Sequence, residues 1–117
     1  MHHVHQTIAH LNFNTNKLTT IPNGLFVIPT LKFLDVSNNL LGTKTVPNSY
    51  LSEAIGQCQS LVELHLAGNQ LNHLPESIGD LANLELLDLK DNKLLQLPQR
   101  IGLLDKLFKL NLDGNEL

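Results

Sequence analysis

The feature that most constrains this chain is a 23-residue pattern that repeats without a gap from Leu61 to Leu107. From Leu61 the sequence reads LVELHLAGNQLNHLPESIGDLAN, and from Leu84 it reads LELLDLKDNKLLQLPQRIGLLDK. Both lines fit the template L-x-x-L-x-L-x-x-N-x-L-x-x-L-P-x-x-I-G-x-L-x-x, and a third line begins at Leu107. Self-similarity at a period of about 20 to 50 residues indicates a chain of stacked units with a continuous core.

Two further units precede Leu61. The first begins at Ile8, and the second begins at Leu31 and contains 30 residues, seven more than the period of 23. The first unit keeps apolar residues, the asparagine and the proline at the template positions: Ile8, Leu11, Phe13, Asn16, Leu18, Ile21, Pro22, Leu25 and Ile28. We therefore predict a short extension over residues 1–7 and a repeat domain over 8–117. Its five units begin at 8, 31, 61, 84 and 107, and the last is incomplete.

The additional residues of the second unit follow Val46 and Pro47, in the segment N-S-Y-L-S-E-A. Apolar residues then recur at helical spacing, at Tyr50, Leu51, Ala54, Ile55 and Cys58. This stripe predicts a two-turn helix on the convex side of the solenoid. Asn48 or Ser49 is the predicted N-cap, since either side chain can accept from a free amide of the first turn.

Each unit contains an L-x-L segment that reads as a short strand. Alternation along a strand sends the two apolar side chains inward and their neighbours outward. The inward pairs are Leu11/Phe13, Leu34/Val36, Leu64/Leu66, Leu87/Leu89 and Leu110/Leu112. Stacking of successive units then gives a parallel sheet with strands about 4.8 Å apart.

An asparagine follows the strand in all five units. It stands where the chain turns away from the sheet and leaves backbone groups that no strand can pair. A buried side-chain amide both donates and accepts hydrogen bonds, so it can join the turn to the neighbouring unit. We predict a structural ladder formed by Asn16, Asn39, Asn69, Asn92 and Asn115.

These repeats resemble the leucine-rich repeat, and the L-P-x-x-I-G form is similar to that of Ras-pathway scaffolds, Ras-suppressor proteins and Roco-type GTPases. The resemblance covers Ile8 to Leu117. It implies an α/β fold, a right-handed solenoid forming a short horseshoe arc. The parallel sheet would line the concave face, with short 3₁₀, helical or extended segments on the convex face. It also implies a non-catalytic module that binds a protein partner through the concave sheet.

The candidate binding residues are the outward-facing strand positions, because the template does not require them for packing. Phe33 and Leu86 are apolar at such positions and flank Glu63 in one column, as an anchor within a polar rim would be arranged. The predicted partner-binding residues on the concave face are Phe33, Asp35, Glu63, His65, Leu86, Asp88, Lys90 and Lys109. The insertion around Tyr50 is an alternative contact surface.

Two groups of side chains contain the residue types of catalytic or metal-binding sites. Asp35, His65 and Asp88 fall in one column, but an open sheet excludes no water and no nucleophile accompanies them, so we predict no catalytic residue. This row instead suggests pH-dependent binding through His65. His2, His3 and His5 lack the ligand spacing of a metal site. We predict neither a metal nor a cofactor.

The composition of the chain also limits the classes of partner and the cellular location. The net charge is -3 and charged residues make up only 16% of the chain, which disfavours nucleic acid. No apolar run reaches the roughly 20 residues of a membrane helix, and the first residues do not resemble a signal peptide. Cys58 is the single cysteine and is predicted to be a buried apolar residue, with a reactive thiol as the alternative. Without the disulfide-bonded caps of secreted repeats, the predicted location is cytoplasmic.

Two other functions stay open. The chain stops midway through the fifth unit, which predicts a fragment of a longer protein, since solenoids usually end in a capping repeat. The repeats would then be a regulatory or scaffold segment of a multidomain enzyme such as a Roco-type GTPase. Alternatively, uncapped ends would allow self-association, because an open strand edge invites pairing with another chain.

Overall fold

The computed structural model describes residues 7–117, and within them short strands alternate with 3₁₀ helices. The strands are β1 His10–Asn12, β2 Phe33–Asp35, β3 Glu63–His65, β4 Leu86–Asp88 and β5 Lys109–Asn111. The helices are η1 Asn23–Val27, η2 Glu53–Gln57, η3 Glu76–Asp80 and η4 Gln99–Leu103. None of the helices in this part of the chain has the length and apolar composition needed to cross a membrane.

The five strands form one parallel sheet in the order β1-β2-β3-β4-β5. Their register places Leu11, Leu34, Leu64, Leu87 and Leu110 side by side. Because each strand is followed by a return segment and a 3₁₀ helix before the next strand, consecutive units stack in sequence order. The predicted right-handed solenoid with a parallel concave sheet is confirmed.

The core is a rod of apolar side chains between the sheet and the row of 3₁₀ helices. Leu34, Leu64 and Leu87 of the strands and Ile55 and Ile78 of the helices are completely buried. Burial of each such side chain stabilises the fold by roughly 1.5–3 kcal/mol, and most of it is supplied by the neighbouring units.

The predicted helix in the insertion is wrong. Residues 43–49 form turns, closed by a hydrogen bond from the Gly42 amide to the Ser49 carbonyl at 2.7 Å. Ser49 is buried and its hydroxyl donates to the Thr43 carbonyl at 2.7 Å. Asn48 adopts a φ of 60°, which a right-handed helix does not allow at this position. Neither residue therefore caps a helix.

The helical element of this unit is the five-residue η2, and it begins later than predicted. Its N-cap is Ser52, whose hydroxyl accepts from the Ala54 amide at 3.0 Å. Leu51, Ile55 and Cys58 of the apolar stripe are buried, whereas Tyr50 is exposed. The stripe thus identified the buried positions but not the type of helix.

Asparagine side chains join the consecutive units. The Asn69 amide donates to the Leu66 carbonyl of its own unit at 3.1 Å and to the Val36 carbonyl of the preceding unit at 3.0 Å. Its oxygen accepts from the Leu41 amide of that preceding unit at 3.0 Å. Asn39, Asn92 and Asn115 make the same bonds in both directions. Asn16 is exposed, and its amide donates to carbonyls of its own unit.

The turn before each of these asparagines requires a positive φ. This conformation occurs at Thr15, Asn38, Gly68, Asp91 and Gly114. At Gly68 a glycine is also needed for space, because a Cβ there would lie 2.2 Å from Oδ1 of Asn38. The turn therefore fixes both the backbone conformation and the distance between neighbouring units.

Replacing Asn69 with alanine should destabilise the protein far more than replacing Asn16. Asn69→Ala leaves the buried Leu41 amide without its acceptor, and an unpaired buried group costs about 1–3 kcal/mol. Asn16→Ala removes only local bonds at an exposed position and should cost less than about 1 kcal/mol. Urea unfolding of both variants measures the difference, and equal losses would contradict the ladder as the main role of Asn69.

The glycines of the I-G dipeptides have different surroundings. A Cβ at Gly79 would lie 2.2 Å from the Arg100 carbonyl oxygen, because η3 packs directly against η4. A Cβ at Gly102 would have nothing within 4 Å. Phe26 occupies the equivalent place in the first unit and is completely buried, so the packing of η1 against the next unit leaves room for a ring.

A matched pair of substitutions tests this packing. Gly79→Ala should destabilise the fold by about 1–3 kcal/mol, because the added methyl group must push the neighbouring backbone away. Gly102→Ala should be neutral or stabilise by up to about 1 kcal/mol, since alanine restricts the unfolded chain. Thermal unfolding of the two variants and of the wild type measures this difference in stability. A neutral Gly79→Ala would show that the two helices separate easily.

Candidate functional site

The strand register places seven of the eight predicted partner-binding residues in two columns of the sheet. Strand register aligns His10, Phe33, Glu63, Leu86 and Lys109 in a first column. A second column contains Asn12, Asp35, His65, Asp88 and Asn111. Lys90 follows β4, two residues after Asp88. The inward leucines hold these strands rigid, so the outward side chains stand on a fixed scaffold.

Aromatic rings occupy the β1–β3 side of this face. The rings of His10 and Phe33 are stacked, with centroids 4.0 Å apart and an interplanar angle of 7°. The His65 ring lies 5.0 Å from that of Phe33, at an angle of 41°. We call His10, Phe33 and His65 the aromatic cluster. His10 was not predicted as a binding residue, although its place in the first column is the signal that identifies it.

The polar row of the second column serves a local purpose. Oδ1 of Asp35 accepts from the Ser37 amide at 2.8 Å, and Oδ1 of Asp88 accepts from the Lys90 amide at 3.1 Å. Such Asx turns hold the chain as it leaves the strand. Asn12 and Asn111 make the same bond in their units.

His65 pairs with a carboxylate outside its own column. Its Nε2 lies 3.1 Å from Oε1 of Glu63, two residues away on the same strand. Both side chains remain partly accessible, with 22% of His65 and 42% of Glu63 exposed. The two thus form a polar edge beside Phe33.

The opposite side of the face, on β4 and β5, is less aromatic. Leu86 is half-buried, and Lys109 lies beside it in the first column. Lys90 is exposed after β4. The face therefore joins an aromatic, histidine-containing side to an aliphatic side with two lysines.

Within residues 7–117, no three histidine, cysteine, aspartate or glutamate side chains are grouped so as to hold a metal ion. His2, His3 and His5 lie outside the described residues.

Cys58 is a free thiol in the core of the second unit. It is 1% exposed, at the place that leucine takes in the following units. Desolvation by the surrounding side chains raises the pKa of the Cys58 thiol from 9.0 to about 11. The thiolate is the nucleophilic form, so burial suppresses reactivity here. The interpretation of Cys58 as a small apolar core residue agrees with this environment.

Family comparison gives a clear result. A leucine-rich-repeat family model matches residues 52–117, and a second such model matches residues 30–53. The chain belongs to the leucine-rich repeat family. Leucine-rich repeats generally mediate protein–protein interaction, and their repeats are typically not catalytic. No curated protein matches the chain significantly.

Solved structures share the fold. A leucine-rich-repeat protein of Leptospira interrogans superimposes with a TM-score of 0.85 at 32% identity, over 94% of this chain and 26% of that one. The functional domain of InlJ from Listeria monocytogenes, which includes a cysteine ladder, superimposes with a TM-score of 0.71 at 22% identity. That match covers 93% of this chain and 21% of the InlJ domain. The chain thus spans about a quarter of the length of these proteins.

The raised pKa of Cys58 predicts a loss of stability at alkaline pH. Between about pH 9 and 11 the unfolded chain releases the thiol proton while the folded chain keeps it, so unfolding becomes easier as pH rises. At pH 10 this contribution amounts to roughly 1 kcal/mol. Urea unfolding at pH 8 and pH 10 should show a larger drop for the wild type than for Cys58→Ala. Equal drops in the free energy of unfolding for the two proteins would contradict the raised pKa of Cys58.

Proposed function

We propose that this leucine-rich repeat domain is a non-catalytic recognition module that binds a folded protein through its concave sheet. The observation that supports this most directly is the aromatic cluster beside Glu63. Phe33 contacts both His10 and His65, and all three residues stand on positions that the repeat template leaves free. They form an anchor of the kind that dominates binding energy at interfaces.

The face has the composition of an interface. Phe33 and Leu86 are half-buried apolar side chains in one column, with Glu63 between them. Apolar centres surrounded by polar side chains are typical of protein–protein contacts. The strands are fixed by core leucines, so little conformational entropy is lost when a partner binds.

Charged residues would set the orientation of the partner. Lys90 and Lys109 lie on the β4–β5 side, whereas Glu63 lies beside the aromatic cluster. An asymmetric distribution of this kind favours one docking orientation and affects mainly the association rate and the salt dependence.

The proposal excludes catalysis by the repeats themselves. Asp35 and Asp88 hold strand ends through Asx turns, and His65 contacts Glu63, so these side chains supply no nucleophile–base pair. If the repeats belong to a larger enzyme such as a Roco-type GTPase, they would act there as the regulatory or scaffold segment. The cytoplasmic location predicted from the single cysteine stays part of this proposal.

Substitutions on the concave face should abolish partner capture. Phe33→Glu removes the central ring of the cluster and places a charge in its position, and Glu63→Lys reverses the neighbouring charge. Truncation of such an anchor usually weakens binding at least about thirtyfold. The matched control is Phe108→Glu, which changes a phenylalanine that is 76% exposed outside the two columns.

The measurement is affinity capture from cytosolic extract followed by quantitative mass spectrometry. Circular dichroism first establishes that each variant is folded. Proteins retained by the wild type and by Phe108→Glu, but lost from Phe33→Glu and from Glu63→Lys, support the concave site. Retention of the same proteins by all variants would move the contact surface elsewhere and overturn the proposal.

A further inference from the structure

Three adjoining grooves run along the ends of the solenoid units where each return segment enters its 3₁₀ helix. The first lies between Ile21 and Tyr50, the second between Tyr50 and His73, and the third between His73 and Leu97. Their volumes are about 240, 370 and 280 Å³. The second groove, between the second and third units, is the largest of the three. We call it the central groove.

The central groove differs chemically from its neighbours. The inward-facing helix position is buried at Ile55 and Ile78 and partly buried at Leu25 and Ile101. Five residues before it, the four units have Thr20, Tyr50, His73 and Gln96. Two residues before the same helix position, they have Asn23, Glu53, Glu76 and Gln99. Aromatic rings and carboxylates therefore coincide only in the second and third units, on the two walls of the central groove.

The two rings are in contact and remain accessible. The centroids of Tyr50 and His73 lie 5.6 Å apart at an angle of 39°. Tyr50 is 46% exposed, and Nδ1 of His73 lies 2.7 Å from Oδ1 of Asn72, which orients the imidazole. Leu51, Leu74 and Pro75 complete the apolar lining.

Negative charge in this groove is left uncompensated. Glu53 and Glu76 line it, and none of the described side chains that line it is a lysine or an arginine. The nearest basic residue along η4, Arg100, directs its guanidinium to Asp80, and only its backbone amide donates to Glu76, at 3.2 Å. Aromatic rings beside carboxylates that have no cationic side chain as a partner attract a cation, through the ring faces and through the negative charge.

We propose that the central groove is a second docking site, which binds an arginine side chain carried by an extended segment of a protein partner. The planar guanidinium suits this site because it can stack on a ring and hydrogen-bond a carboxylate at the same time. A row of grooves across four units spans on the order of 15 Å, or about five residues of extended chain. The central residue would then be the arginine. Apolar residues two positions before and two positions after it point to the same side of an extended chain, so they would lie over Ile21 of the first groove and Leu97 of the third. This site does not depend on the concave interface.

The test uses a short peptide and its neutral isostere. The probe is N-acetyl-Leu-Gly-Arg-Gly-Leu-amide, and the control peptide has citrulline in place of arginine, which keeps the shape but not the charge. Titration of the isotope-labelled protein, followed by amide chemical shifts, should move resonances of Tyr50, Glu53 and His73. Resonances of the concave strands should stay in place. The citrulline peptide should bind about three- to tenfold more weakly.

Variants of the protein distinguish the contribution of the Tyr50 ring to peptide affinity from that of the Glu53 and Glu76 carboxylates. Tyr50→Ala and the pair Glu53→Gln with Glu76→Gln should each weaken the arginine peptide about three- to tenfold. Tyr50→Phe should bind like the wild type, because it keeps the ring. The matched charge control is Glu85→Gln with Asp105→Asn, which neutralises two exposed carboxylates away from the groove.

Several results would overturn the proposal. Equal affinity for the arginine and citrulline peptides would remove the role of charge. Shifts confined to the concave strands, or the same loss of affinity in the Glu85 and Asp105 control, would show attraction by net charge elsewhere. Absence of any shift at millimolar peptide would exclude the site. None of these results bears on the concave interface, which is tested by capture with Phe33 and Glu63 variants.

Discussion

The structure depends on one constraint, which is that no single unit can bury its own apolar face. A unit contributes a three-residue strand and one short 3₁₀ helix, and leucines such as Leu64 and Leu87 become completely buried only between neighbours. The chain must also turn at every unit, leaving backbone groups unpaired in the core. Asn39, Asn69 and Asn92 pair these groups across the unit boundary, so stacking and hydrogen bonding support each other.

This constraint separates structural positions from functional ones. The core leucines and the asparagines of the second to fifth units recur because the neighbouring unit needs them, whereas the outward positions are free to vary. Stacking then aligns the free positions in columns, so that residues 23 or 30 apart become adjacent on a surface. Phe33 and Glu63 meet in this way on the sheet, and Tyr50 and His73 meet at the entrance to the helices.

The period of the sequence was sufficient to predict the strands, their parallel register and the columns of the sheet. It did not predict contacts that depend on side-chain rotamers, such as the stacking of His10 on Phe33 or the pairing of His65 with Glu63. The prediction of a two-turn helix was wrong because the spacing of Leu51, Ile55 and Cys58 fits two structures equally well. One is a helix, and the other is an extended segment followed by a 3₁₀ helix. The extended backbone of Ser52, with a φ of -69° and a ψ of 147°, excludes the longer helix.

The loop before Ser52 explains how the second unit changes its surface without disturbing the core. Turns over residues 43–49 absorb the additional length, and the repeat register is regained before Ile55, where Ser52 takes the place of the usual proline. From there Leu51, Ile55 and Cys58 pack as their counterparts do in the next unit. The insertion therefore costs little in packing, while it places an exposed tyrosine directly against His73. A solenoid can acquire a local site in this way because each unit constrains only its immediate neighbours.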